Sequence, residues 1–139
     1  MASRAEKLGR MVSLMRLQLR LSEWQLAQLR QQEQQLQDEE VYLVGALNEM
    51  RLPTGSSSES ISRRLTATSV GARAVGAQAS RQLDQVHAES RRVKQLERVA
   101  KAATADKLRD QERRSLEEMT STGRPFGLPD WKPRTGRRD

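Results

Sequence analysis

Asp38, Glu39 and Glu40 stand side by side, and neighbouring carboxylates can share general acid and base work. Here they lie on a solvated helix with no cleft implied around them, so they predict a polar surface rather than a catalytic pair. His87 is the only histidine and there is no cysteine. That excludes any site needing two histidines, any thiolate metal site and any disulfide frame. No glycine-rich phosphate loop follows a strand, and no strand is predicted. The residue types therefore predict a protein that is not an enzyme, with no catalytic, cofactor-binding or metal-binding residue.

What the residues offer instead is binding. Leu14, Leu17, Leu21 and Trp24 recur at intervals of three and four, which places them in one row on a helix. Met11 flanks the row and arginines rim it. An aliphatic row with an aromatic anchor and a basic rim suits a helix-in-groove contact. It could also fold under an overhanging helix, or lie on a membrane surface. Val41, Tyr42 and Val44 form a smaller apolar patch. Arg91, Arg92, Lys94, Arg98 and Lys101 form a basic cluster. A fourth candidate is the segment Pro125-Phe126-Gly127-Leu128-Pro129-Asp130-Trp131, with the only phenylalanine and one of the two tryptophans.

These residues are carried by a helical hairpin. With Val12 as heptad position a, Leu8, Val12, Met15, Leu19, Leu26, Leu29, Leu36, Leu43, Leu47 and Met50 fall on a or d, and only Ser22, Glu33 and Glu40 break the series. Alternating steps of three and four keep one face against a partner helix. Ser3-Arg4-Ala5-Glu6 has the form of a capping box, and Pro53 stops the helix near Arg51. The first helix spans about 4–51, roughly 70 Å at ~1.5 Å per residue. Leu52-Pro53-Thr54-Gly55 signals a turn, and Ser56-Ser57-Ser58-Glu59 a second capping box. A loop over 52–56 is short enough to force antiparallel neighbours. The second helix spans about 57–119. Its seam is Ile61, Leu65, Ala72, Ala79, Leu83, Val86, Val93, Leu96, Ala100, Ala103, Leu108, Leu116 and Met119. Gly71 and Gly76 within it mark either simple tolerance or a close approach of the two backbones. Residues 120–139 are rich in proline, glycine and basic residues and predict a disordered tail.

Charge is distributed in a way that fits this pairing. Residues 31–50 hold five acids and no base, and the residues expected opposite hold Arg63, Arg64, Arg73 and Arg81. At the other end, residues 4–20 carry a net +4 and residues 88–104 a net +3. Cations therefore collect at the open end of the hairpin, and helix 2 overhangs helix 1 there by about ten to fifteen residues, given the rise per residue. The whole chain carries +7, which fits either an ordinary soluble basic protein or one with an acidic partner, nucleic acid or anionic headgroups.

Taken together, the expected fold is all-α: a long antiparallel two-helix coiled-coil hairpin with a C-terminal tail. Over residues 4–119 this organisation resembles the bacterial flagellar export protein FliJ and its injectisome relatives of the YscO kind. Arg91-Arg92-Val93-Lys94-Gln95-Leu96-Glu97-Arg98, followed by Asp110-Gln111-Glu112-Arg113-Arg114-Ser115-Leu116-Glu117-Glu118-Met119, looks like helix 2 of that family. There a basic V-x-x-L-E segment precedes a charged run ending in L-D/E-E. The resemblance implies a soluble cytoplasmic adaptor of flagellar or type III protein export, peripheral at the inner membrane. Its partners would be the export ATPase, the cytoplasmic domain of the export gate and, in some members, substrate chaperones. On this reading the chain is a monomeric hairpin with no specific nucleic acid partner. Three rivals follow from the same residues, of which a homodimeric scaffold with its seam paired between chains is disfavoured by the short loop. Another is a basic helical nucleic-acid-binding protein, which would need a continuous basic face. The third is a peripheral membrane protein using the Leu14–Trp24 row.

Overall fold

Both helices begin at serine caps, and both caps differ in detail from the sequence pattern. The structure, a computed structural model, describes residues 2–121. Ser3 Oγ accepts from the amide of Glu6 at 3.2 Å and opens α1, Arg4–Asn48. The Glu6 carboxylate does not return the bond to Ser3; it accepts from Lys107 on the second helix. α2, Ser58–Ser121, opens on a box one residue later than expected. The amide of Ser60 donates to Ser57 Oγ and the amide of Ser57 donates to Ser60 Oγ. Two serines thus do reciprocally what the Ser/Glu pair was expected to do, and Glu59 instead pairs with Arg63.

α1 stops three residues before Arg51, the expected end. Met50 adopts φ 57°, in the left-handed region. The amide of Arg51 donates to the carbonyl of Ala46 and that of Met50 to Leu47, which is the paired bonding of a Schellman motif. Met50 was assigned to the seam; it is 79% exposed because it is the reversal residue of the helix end. The following turn runs over Pro53–Ser56, closed by the Ser56 amide donating to the Pro53 carbonyl at 3.0 Å. Gly55 at φ 85° supplies the positive φ that the third residue of a type II turn requires.

The two helices pack against each other along an antiparallel seam. Cross-helix bonds fix the register: Arg64 to Glu39, Ser69 to Glu40, Gln82 to the Ser22 carbonyl, Arg16 to Glu97 and Lys107 to Glu6. The seam residues of α1 from Leu8 to Leu47 are buried or half-buried, as are the three residues that seemed to break the series, Ser22, Glu33 and Glu40. They belong to the seam. In α2 the inward residues are Leu65, Thr68, Ala72, Val75, Ala79, Gln82, Val86, Glu89, Val93, Leu96, Ala100 and Ala103, an unbroken alternation of three and four. Leucines of α1 thus face a strip of α2 in which alanine and valine predominate. Packing is tightest near the loop, where Leu43 is 1% exposed and Ile61 is buried. Burying one such leucine is worth about 1.5–3 kcal/mol.

Three expectations for α2 change. Leu108, Leu116 and Met119 were assigned to the seam, yet every residue from Leu108 to Ser121 is exposed. α1 begins beside Lys107, so these residues have no helix to meet and form the overhang. Thr120 and Ser121 were placed in the tail but are helical, each hydroxyl donating to a carbonyl three residues back. The rest of the tail, with Phe126 and Trp131, lies outside the described residues. At Gly71 an added Cβ would meet Leu36 Cδ1 at an ordinary 3.8 Å, and at Gly76 it would meet the flexible end of Glu33 at 3.2 Å. Neither glycine marks a close backbone approach, so both are cases of tolerance.

Placing methionine in the left-handed region costs about 1–2 kcal/mol. Met50→Gly removes that cost, and urea unfolding should show a gain of about 1 kcal/mol with unchanged helix content; a loss of stability would contradict the assignment of Met50 as the reversal residue.

Candidate functional site

The cation pairs that close the hairpin also decide which charges stay free at its open end. Arg16 meets Glu97 at 3.0 Å and Lys107 meets Glu6 at 3.3 Å. These bridges place residues 4–20 of α1 beside residues 90–107 of α2. They also occupy Glu6 and Glu97; of the neighbouring acids, Glu89 is buried and Asp106 pairs with Arg109 within α2. Arg4, Lys7, Arg10, Arg20, Arg91, Arg92, Lys94, Arg98 and Lys101 are all exposed and make no ion pair among the described residues. The bridges leave the net charge of the open end unchanged, and its excess cations are these unpaired, exposed side chains.

Within this cluster Arg91, Lys94, Arg98 and Lys101 step by three, four and three, so they form one row on the outside of α2. Arg92 lies beside it. The seam residues Val93, Leu96 and Ala100 point inward and hold the row outward.

α1 carries a matching outer row. Leu14 is 66% exposed and Trp24 60%, and Leu17, Leu21 and the flanking Met11 are exposed as well. The alternative in which these residues fold under the overhang of α2 is therefore overturned for the described residues. The overhang projects beyond the start of α1, while the row sits further along α1 on the side away from α2. The same spacing continues toward the N-terminus through Arg10 and Lys7, a continuation legible from the spacing alone. Near the loop, Val41, Tyr42 and Val44 are also exposed. They are separated along α1 from the Leu14–Trp24 row by a glutamine-rich run.

The acid–base candidates are dispersed. Asp38 accepts from Gln34, Glu39 is paired with Arg64, and Glu40 accepts from Ser69. Three adjacent carboxylates are thus committed to three different neighbours. His87 is exposed. Among the described residues no cluster of side chains could hold a metal ion, and no helix is long and apolar enough to cross a membrane. The acidic face opposite α2 is used once: Glu39 pairs with Arg64 at 2.6 Å, Arg63 pairs within its own helix, and Arg73 and Arg81 make no ion pair among the described residues. Exposed pairs of this kind contribute only ~0.2–1 kcal/mol, so they bias register while the seam supplies stability.

One buried acid escaped the sequence reading. Glu89 is 4% exposed on the α2 seam. Its Oε1 accepts from Gln85 at 3.0 Å, while Oε2 has no partner among the described residues. Reading the α2 seam in strict steps of three and four through Gln82, Val86 and Glu89 would have found it.

No known protein family, curated protein or solved structure matches this chain.

A buried, partnerless polar atom costs about 1–3 kcal/mol. Glu89→Leu should therefore raise unfolding stability by an amount of that order, measured by urea denaturation at constant helix content; a destabilised variant would show that Glu89 is held by more than Gln85.

Proposed function

We propose that this chain is a non-enzymatic coiled-coil adaptor of bacterial type III protein export, flagellar or injectisome, acting in the cytoplasm. The cationic open end engages the export ATPase and an outer apolar surface engages the cytoplasmic domain of the export gate, with substrate chaperones as further partners. The observation that carries the reading is the unpaired row Arg91, Lys94, Arg98 and Lys101. Free cations gathered at one end of a stiff rod give it polarity, so that opposite ends can hold different partners. Such a field speeds encounter with an acidic surface and does so less at high salt. The two-helix architecture and the helix 2 motif supply the family to which this adaptor reading points.

The rival reading, a nucleic-acid binder, fits the arrangement less well. Along residues 70–119 of α2 there are eight acids beside eleven bases, and the cationic row is short. Stacking platforms for single strands are limited to Trp24 and Tyr42 among the described aromatics.

The test is affinity capture of the tagged full-length protein from its native lysate, read by mass spectrometry at low and high salt. Recovery of the export ATPase or gate is the expected result, with the ATPase lost in the triple variant Arg91→Glu, Arg92→Glu, Lys94→Glu. Recovery only of ribosomal proteins and nucleic acid, lost at high salt, would overturn the proposal.

A further inference from the structure

α1 carries two seams, and only one of them is occupied. The inner seam, from Leu8 to Leu47, is covered by α2. The outer row Leu14, Leu17, Leu21 and Trp24 has the same three-four-three spacing and is exposed throughout. A row so spaced is one heptad-type stripe wide, the width that a single further helix covers with its own stripe. Helices that lie in a membrane interface carry a broader apolar face. Here Met11 is the one apolar residue at the border, near the N-terminal end of the row, and along its length the bordering Ser13, Gln18, Arg20 and Gln25 are polar and exposed. The shape therefore favours a helix over a bilayer.

Charge selects among helices. Lys7 and Arg10 continue the row at its N-terminal end and Arg20 lies beside its centre; none has an ion partner among the described residues. The one acid close to this end, Glu6, is held by Lys107. A second copy of the chain lying parallel on the row would bring the same cations against themselves, which costs energy, and an antiparallel copy would set Lys7 and Arg10 against residues 25–32, which hold no acid. The chain's own residues 122–139 hold five bases and two acids, so their charge is also of the wrong sign.

We propose that the Leu14–Trp24 row is the docking surface for one amphipathic helix of a partner protein, with an apolar stripe spaced by three and four and acidic residues on its flanks. Leu17 and Leu21 form the centre of the contact and Trp24 anchors one end. Lys7, Arg10 and Arg20 meet the acids of the incoming helix and set its direction. The bound form is a local three-helix bundle with α1 in the middle. The proposal rests on the adaptor reading and adds to it the chemistry of one partner.

The experiment places a photo-crosslinking residue, p-benzoylphenylalanine, at Gln18, beside the row but outside it, in the full-length protein in cells that make it. The crosslinked segment is sequenced by mass spectrometry. The expected product is a segment of another protein with three-four apolar spacing and net negative charge. Its yield should fall about tenfold or more in Leu17→Glu and in Trp24→Ala, with circular dichroism unchanged because both side chains are exposed. Crosslinks to lipid, to a second copy of this chain, to residues 122–139, or to a basic or unpatterned segment would overturn the proposal, as would no crosslink at all. A parallel probe at Gln95, exposed beside the cationic row, separates the two readings. The export ATPase at Gln95 with a wrong or absent product at Gln18 overturns the docking surface and leaves the adaptor standing. No protein product at either position overturns both.

Discussion

The packing of α1 leucines against α2 alanines and valines is the contact on which everything else in this molecule depends. Two helices alone have no third layer to hide a face, so each must bury a single stripe against the other. Leucine on one side and smaller side chains on the other fill that stripe while letting the helices lie along each other for the full length of α1. Over the described residues the consequence is a rod whose seam is filled by side chains. Its exposed rows stand at positions that the seam fixes in direction.

Apolar packing of this kind is repetitive, and repetition leaves register poorly defined. The polar members of the seam add what the aliphatic residues lack. Gln82 reaches both the Ser22 carbonyl and the Gln25 side chain, and Ser69 reaches Glu40. A slip by one heptad would separate these pairs and leave buried polar groups without partners. Glu89, with one oxygen unpartnered, shows that the seam tolerates a local cost. Once register is set, Glu6 and Glu97 are drawn to Lys107 and Arg16, and the remaining cations are left at the open end. The polarity of the rod is thus a product of its register.

Much of this was legible in the sequence because helices write their faces in spacing. The α1 seam, the outer Leu14–Trp24 row, the antiparallel hairpin and the cationic end all follow from steps of three and four and from the short loop. The misreadings have two physical origins: side chains in roles usually assigned to other residue types, and contacts that depend on where the other helix begins. Ser22, Glu33 and Glu40 looked like interruptions because a polar residue in a seam needs a partner, and the pattern does not show one: Ser69 on α2 for Glu40, Gln37 on the same helix for Glu33, while Gln82 of α2 reaches the Ser22 carbonyl. Ser60 replaced Glu59 in the second cap for the same reason, since either side chain can satisfy an amide. The end of α1 was placed late because Met50, not a glycine, takes the left-handed conformation. Leu108, Leu116 and Met119 keep helical spacing, and only the starting point of α1 reveals that nothing lies opposite them.

The outer surfaces keep their meaning only if the seam closes within one chain, so that the cationic rows of α1 and α2 belong to the same end of the same rod. The most direct measurement uses the absence of cysteine. Spin labels at Ser13→Cys and Thr104→Cys, both exposed positions near the open end, report the distance between α1 and α2 by pulsed electron paramagnetic resonance. Labelled protein is unfolded, mixed with excess unlabelled chain and refolded. The intramolecular hairpin predicts one short distance that survives dilution undiminished. Loss of the short distance on dilution would show that the seam forms between chains, and would contradict the account.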